Sequence, residues 1–196
     1  MFKHNKILMA LLSTSILGVA ITAQATTISG TASLTVQNAF DVAESTPLSF
    51  GTITVAKATG THAPADNATM LLAPEGGTPT ITNKPVTGGA IGSIVAGSPA
   101  TFDVSNAAPF TELTVNMTAG TTLQNASAPP GNGEFTLSAF AARETGETSN
   151  IATGGKITTD VDGAKSFTLG ATMTINGDAD YVDGLYSGTY NVEVVY

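Results

Sequence analysis

Beyond residue 25 no apolar 3.6-residue period runs long enough for a helix; apolar and polar residues alternate one for one instead, in short runs separated by turn residues. A period of two puts successive side chains on opposite faces of a strand, so such runs build sheets with one buried face. Ala100, Phe102 and Val104 make one run, and Leu113, Val115 and Met117 another. Phe135, Leu137 and Ala139 predict a third inward face, and Phe167, Leu169, Ala171 and Met173 a fourth. Residues 48–55 read as a strand with Leu48 and Phe50 on one face. The final strand groups Tyr190, Val192, Val194 and Tyr196 opposite Asn191 and Glu193. Between the runs stand Pro74-Glu75-Gly76-Gly77, Pro129-Pro130-Gly131-Asn132-Gly133 and Asp162-Gly163, which supply the positive or preset φ that turns need. Asn176-Gly177, directly after Met173-Thr174-Ile175, predicts a hairpin. Short strands at this spacing without intervening helices predict an antiparallel sandwich or barrel.

The first residues read as an export signal. Lys3, His4 and Lys6 precede a mostly apolar stretch to Ile21, and Ala23-Gln24-Ala25 is a small-x-small cleavage site. Residues 1–25 are therefore set aside as a signal peptide, followed by an N-terminal strand over 26–38 and a sandwich domain over 39–196. No later stretch is apolar enough to insert as a membrane span. Removing the signal leaves 5 basic residues against 15 acidic ones. That balance disfavours a phosphate backbone or an anionic lipid surface as a partner. The chain has no cysteine, so an exported fold must rest on burial and hydrogen bonding alone.

Residues 26–37 are the most informative stretch. Ile28, Gly30, Ala32, Leu34 and Val36 alternate with hydroxyl and amide side chains, giving one apolar and one wet face. Two readings stand side by side. The strand is the first of this chain's own sandwich, or it is a donor that completes a neighbouring copy. Burying Ile28, Leu34 and Val36 yields about 1.5–3 kcal/mol each, against about 1–2 kcal/mol per residue to order the backbone. The balance becomes strongly favourable where the recipient lacks a strand. Head-to-tail donation does not close on itself, so it builds a filament.

Leu48-Ser49-Phe50-Gly51-Thr52-Ile53, Phe167-Thr168-Leu169-Gly170-Ala171-Thr172-Met173 and the terminal Gly184-Leu185-Tyr186-Ser187-Gly188-Thr189-Tyr190-Asn191-Val192-Glu193-Val194-Val195-Tyr196 resemble the bacterial domain-of-unknown-function 4402 family. That family is similar to the immunoglobulin-like pilins and spore-coat-type subunits assembled by periplasmic chaperones and outer-membrane ushers. The resemblance implies an immunoglobulin-like antiparallel β-sandwich, open to completion by a donor strand, on a Gram-negative cell surface. It further implies that Ile28, Gly30, Ala32, Leu34 and Val36 fill groove pockets of the next copy. Tyr190, Val192, Val194 and Tyr196 would form the edge strand met first by a chaperone and then by the donor. In pilins the last aromatic commonly stands one residue before the end, whereas Tyr196 is terminal here.

Residues that carry chemistry are sparse. After the signal only His62 remains as a side-chain base of its type, and no Gly-x-Ser-x-Gly elbow occurs, so an enzyme is not expected. No cofactor is implied, and zinc has too few ligands. Asp178, Asp180 and Asp183 in a glycine-containing stretch are the one weak calcium candidate, although the EF-hand spacing is not met. The leading expectation is a pilin-like structural subunit, its partners being copies of itself or related subunits with a chaperone and usher. The alternative is a monomeric binding module, an adhesin or calcium-dependent carbohydrate binder.

Overall fold

The computed structural model describes residues 31–36, 39–61, 63, 66–118 and 121–196; the signal segment, Ile28, Gly30 and His62 lie outside the described residues. Contacts divide the chain into residues 1–35 and residues 36–196. Of the first unit, residues 31–35 are exposed and form no strand. The second unit contains the fold.

Its strands are β1 (Asp41–Thr46), β2 (Thr52–Ala56), β3 (Thr69–Leu72), β4 (Thr80–Thr82), β5 (Ala90–Val95), β6 (Ala100–Ser105), β7 (Glu112–Met117), β8 (Thr121–Leu123), β9 (Phe135–Glu144), β10 (Asn150–Ile151), β11 (Gly155–Thr158), β12 (Lys165–Thr174) and β13 (Val192–Val195). The large sheet runs β1-β6-β12-β3-β4, with β9 on the other edge of β12 and β8 and β10 beyond it. A second sheet has the order β11-β7-β13, and β2 pairs β5 as a separate ribbon. The fold is all-β and antiparallel, a sandwich, as the period-two runs predict.

The long strand β12 organises the large sheet because its alternation is unbroken. Phe167, Leu169, Ala171 and Met173 are all buried. One edge of β12 is followed by β9 throughout, whereas the other pairs β6 up to Leu169 and β3 from Ala171. Gly170 sits at that change of partner. A Cβ there would run into the Leu72 carbonyl and the Pro74 nitrogen, so the absence of a side chain lets three backbones meet. From the facing sheet Leu113, Val115 and Ile157 bring fully buried side chains to the same core. Phe102 stacks on Phe167 at 5.3 Å between ring centroids.

Three local expectations fail, each for a definable reason. Ala139 is exposed and Phe140 is buried instead. The ladder to β12 slips by one residue here, and Ala139 takes a left-handed φ of 47°. This is a β-bulge, which moves the inward set from Phe135 and Leu137 to Phe140 and Ala142. Likewise residues 48–55 are not one regular strand. Gly51 has φ 77°, and the inward positions change from Leu48 and Phe50 to Ile53 and Val55. Asn176-Gly177 makes no hairpin, since no strand follows until β13. The Asn176 side chain accepts from its own neighbour Asp178 N at 3.0 Å in an Asx turn, and Gly177 N donates to Asn67 Oδ1 at 3.1 Å.

Candidate functional site

The site begins with an irregular stretch that the alternation did not reveal. After β12, residues 176–191 form no strand yet are not loose, because tyrosines hold them together with an isolated backbone bridge between Ser187 and Gln124. Tyr181 and Tyr186 each approach Phe135 at 4.8 Å between centroids. The Tyr181 hydroxyl accepts from Asn176 N at 2.8 Å and donates to the Glu134 carbonyl at 3.1 Å. Tyr186 Oη bonds both the N–H and the carbonyl of Val182, at 3.2 and 3.0 Å. Burial pushes the Tyr181 phenol above its ordinary pKa, as expected for a hydroxyl used structurally.

This stretch and the strand after it face residues 40–55 across a seam. Phe40 meets Tyr196 edge-on at 5.1 Å, and Tyr190 donates to Glu44 at 2.5 Å. Farther along, residues 48–55 face residues 181–188. Numbers rise on one side as they fall on the other, so the two walls run antiparallel. No strand of the described set lies between them: β13 pairs only β7, and β2 pairs only β5.

The seam is uneven. Around Glu44, Phe102 and residues 188–192 it holds a cavity of about 330 Å³. Between residues 48–55 and 181–188 it widens to about 840 Å³, floored by Leu123, Phe135 and Met173. The narrow half is tightened by Tyr190, whose ring stacks on Phe140 at 5.7 Å and meets Phe102 edge-on at 6.4 Å. Burial, with the adjacent Glu44 carboxylate, raises the Tyr190 phenol pKa well above its usual range.

Of the expected acceptor residues, Tyr190 and Val192 line the narrow cavity and Tyr196 meets Phe40. Val192 and Val194 point toward the core but are only half-buried, and Tyr196 remains 37% exposed. Tyr190 and Tyr196 flank β13 without belonging to it. Of the donor positions, Ala32, Leu34 and Val36 are described; all three are exposed, Leu34 at 87% and Val36 at 73%. The calcium candidates do not converge. Asp180 pairs with Lys57 at 3.2 Å, and among the described residues no three carboxylate, histidine or cysteine side chains gather as a metal site would require. Among the described residues the other Lys and Arg side chains also have carboxylate partners: Lys84 with Asp66, Arg143 with Glu75, Lys156 with Glu112 and Lys165 with Glu144. Sequence reasoning missed the walls formed by residues 48–55 and by Tyr181 and Tyr186. The signal available was the tyrosine spacing beside the Asn176 turn, which alternation does not register.

Fold and site together define an all-β sandwich with an unfilled seam between two antiparallel walls. Residues 34–196 match the family described as Domain of unknown function (DUF4402), and the chain belongs to that family. Comparison with curated proteins and with solved structures returned no match.

Proposed function

We propose that this chain is an exported structural subunit of a surface fibre, pilin-like, that assembles by inserting its N-terminal strand into a neighbouring copy. The supporting observation is the seam, where the edge of β13 has no partner and the inward Val192 and Val194 stay half-exposed. An apolar sheet edge left open in this way is an aggregation hazard unless something covers it. The exposed, alternating residues 31–36 are a segment of matching chemistry. Burying Leu34 and Val36 would contribute about 1.5–3 kcal/mol each, and each ladder bond about 0.5–1.5 kcal/mol. In this reading a periplasmic chaperone covers β13 before assembly, and an usher exports the growing fibre.

The test is deletion of residues 26–37. The truncated chain should form no multimers yet remain recoverable as a chaperone-bound or monomeric species, and normal fibres from it would refute the reading. A second reading draws on the 840 Å³ recess, a size suited to a small ligand, in a monomeric binding module. Its calcium-dependent form requires that calcium raise thermal stability.

A further inference from the structure

Two of the turns between strands carry the dipeptide Asn-Gly, at Asn132-Gly133 and Asn176-Gly177, and the sequence has no third. Asn-Gly is the pair most open to deamidation, because glycine has no side chain to shield its amide nitrogen from the asparagine side chain. That nitrogen attacks Cγ, an N–Cγ bond forms, the Cγ–Nδ2 bond breaks, and ammonia leaves with the amide proton. Water then opens the succinimide ring to aspartate or isoaspartate. In this fold both nucleophilic nitrogens are occupied. Gly133 N donates to the Asp180 carbonyl at 2.7 Å, and Gly177 N donates to Asn67 Oδ1 at 3.1 Å. Both glycines are buried. The asparagine side chains are held as well: Asn176 Oδ1 accepts from Asp178 N at 3.0 Å, and Asn132 Nδ2 donates to the Pro129 carbonyl at 2.5 Å.

One side chain joins the two turns, although they are far apart in sequence. The Tyr181 hydroxyl accepts from Asn176 N and donates to the carbonyl of Glu134, the residue after Gly133. The Tyr181 ring covers Gly133 so closely that a Cβ there would lie 2.5 Å from it. Asp180, whose carbonyl holds Gly133 N, is its chain neighbour. We infer that Asn132 and Asn176 are a coupled pair of deamidation sites, kept unreacted by Tyr181, and that both react when residues 176–184 open. The inference is independent of the polymerisation reading. Reaction requires each glycine N–H to leave its acceptor, so its rate follows the population of the open form. The product does not restore the closed form. Isoaspartate lengthens the backbone by one carbon. Either product at 176 adds a carboxylate beside Asp178 and Asp180, where among the described residues Lys57 on Asp180 is the one cationic partner. Residues 181–184 line the wide recess, so the conversion accumulates as an irreversible record of how often that wall has opened.

The test holds full-length protein in mildly alkaline buffer, native and in urea. The mass increase that replaces an amide by a carboxyl is followed at each site in proteolytic fragments. Native protein should convert both sites at least about 100-fold more slowly than unfolded protein. Tyr181→Phe keeps the ring and removes both hydroxyl bonds, so it should speed conversion at 132 and at 176 by roughly 10-fold. Asn67→Ala should speed 176 alone, because Asn67 holds Gly177 and not Gly133. Thr159→Val weakens the core at Ala108 and Thr111, away from both turns, and should change neither rate. Equal rates in native and unfolded protein overturn the protection. Tyr181→Phe that speeds one site only, or neither, overturns the coupling through Tyr181. Thr159→Val that speeds both sites as much as Tyr181→Phe overturns the local opening, because the reaction then belongs to the globally unfolded chain.

Discussion

Replacing Tyr190 by Phe removes one hydroxyl and leaves the ring, so its stacking on Phe140 and Phe102 is retained. What is lost is the bond to Glu44 at 2.5 Å. A hydrogen bond to a charged partner contributes about 1.5–3 kcal/mol when both ends are shielded. Glu44 is exposed and regains water, which brings the net loss to about 1 kcal/mol. For a domain of this size that lowers the thermal midpoint by about 2–4 °C. The variant should also change the alkaline limb. The native Tyr190 pKa lies above the ordinary value of 10.0, so the folded state holds a proton that the unfolded chain releases. That contribution is complete below about pH 10 and is lost as pH rises through the native value. Urea unfolding near neutrality and above pH ~10 reads both effects. Tyr190→Phe should be weaker near neutrality and lose less with further alkalinity, the residual slope belonging in part to Tyr181, whose pKa is also raised. Equal midpoints at neutral pH together with parallel alkaline slopes would refute the claim that Tyr190 closes the seam.

Other substitutions test the frame on which the seam is built. Phe167→Ala, at a fully buried ring stacked on Phe102, should lower unfolding stability by about 3–5 kcal/mol in urea titration. Thr159→Val should cost about 1–3 kcal/mol, because Thr159 Oγ1 accepts from Thr111 N at 2.9 Å and donates to the Ala108 carbonyl at 2.7 Å in a buried position. Gly170→Ala should cost about 1–3 kcal/mol by forcing β3 away from β12, with the loss visible as faster amide exchange at Leu72.

The strands whose alternation is uninterrupted were legible from residue pattern alone. Phe167 to Met173 on β12 and Leu113 to Met117 on β7 are buried as their spacing demands, since a period of two has only one way to face a core. The bulge at Ala139 was not legible, because alanine gives no sign that it will adopt a positive φ. At Gly51 the glycine itself was the clue to a break. Asn176-Gly177 carried a true turn signal whose consequence was set elsewhere, by Asn67 and Tyr181, which secure the chain after it. For the site, the last strand and its valines were readable, and so was the apolar face of residues 31–36. How the two walls face each other was not, because aromatic contacts between residues far apart in sequence, such as Phe40 with Tyr196 and Phe135 with Tyr186, have no period.

The most direct test of strand exchange is the state of the full-length protein in solution. Size-exclusion chromatography with light scattering, followed by electrophoresis of unboiled samples, should show a ladder of SDS-resistant multimers that collapses to one band only on boiling, because a strand inserted into a seam escapes slowly. A single monomeric species that unfolds cooperatively and migrates as one band with or without boiling would contradict the account.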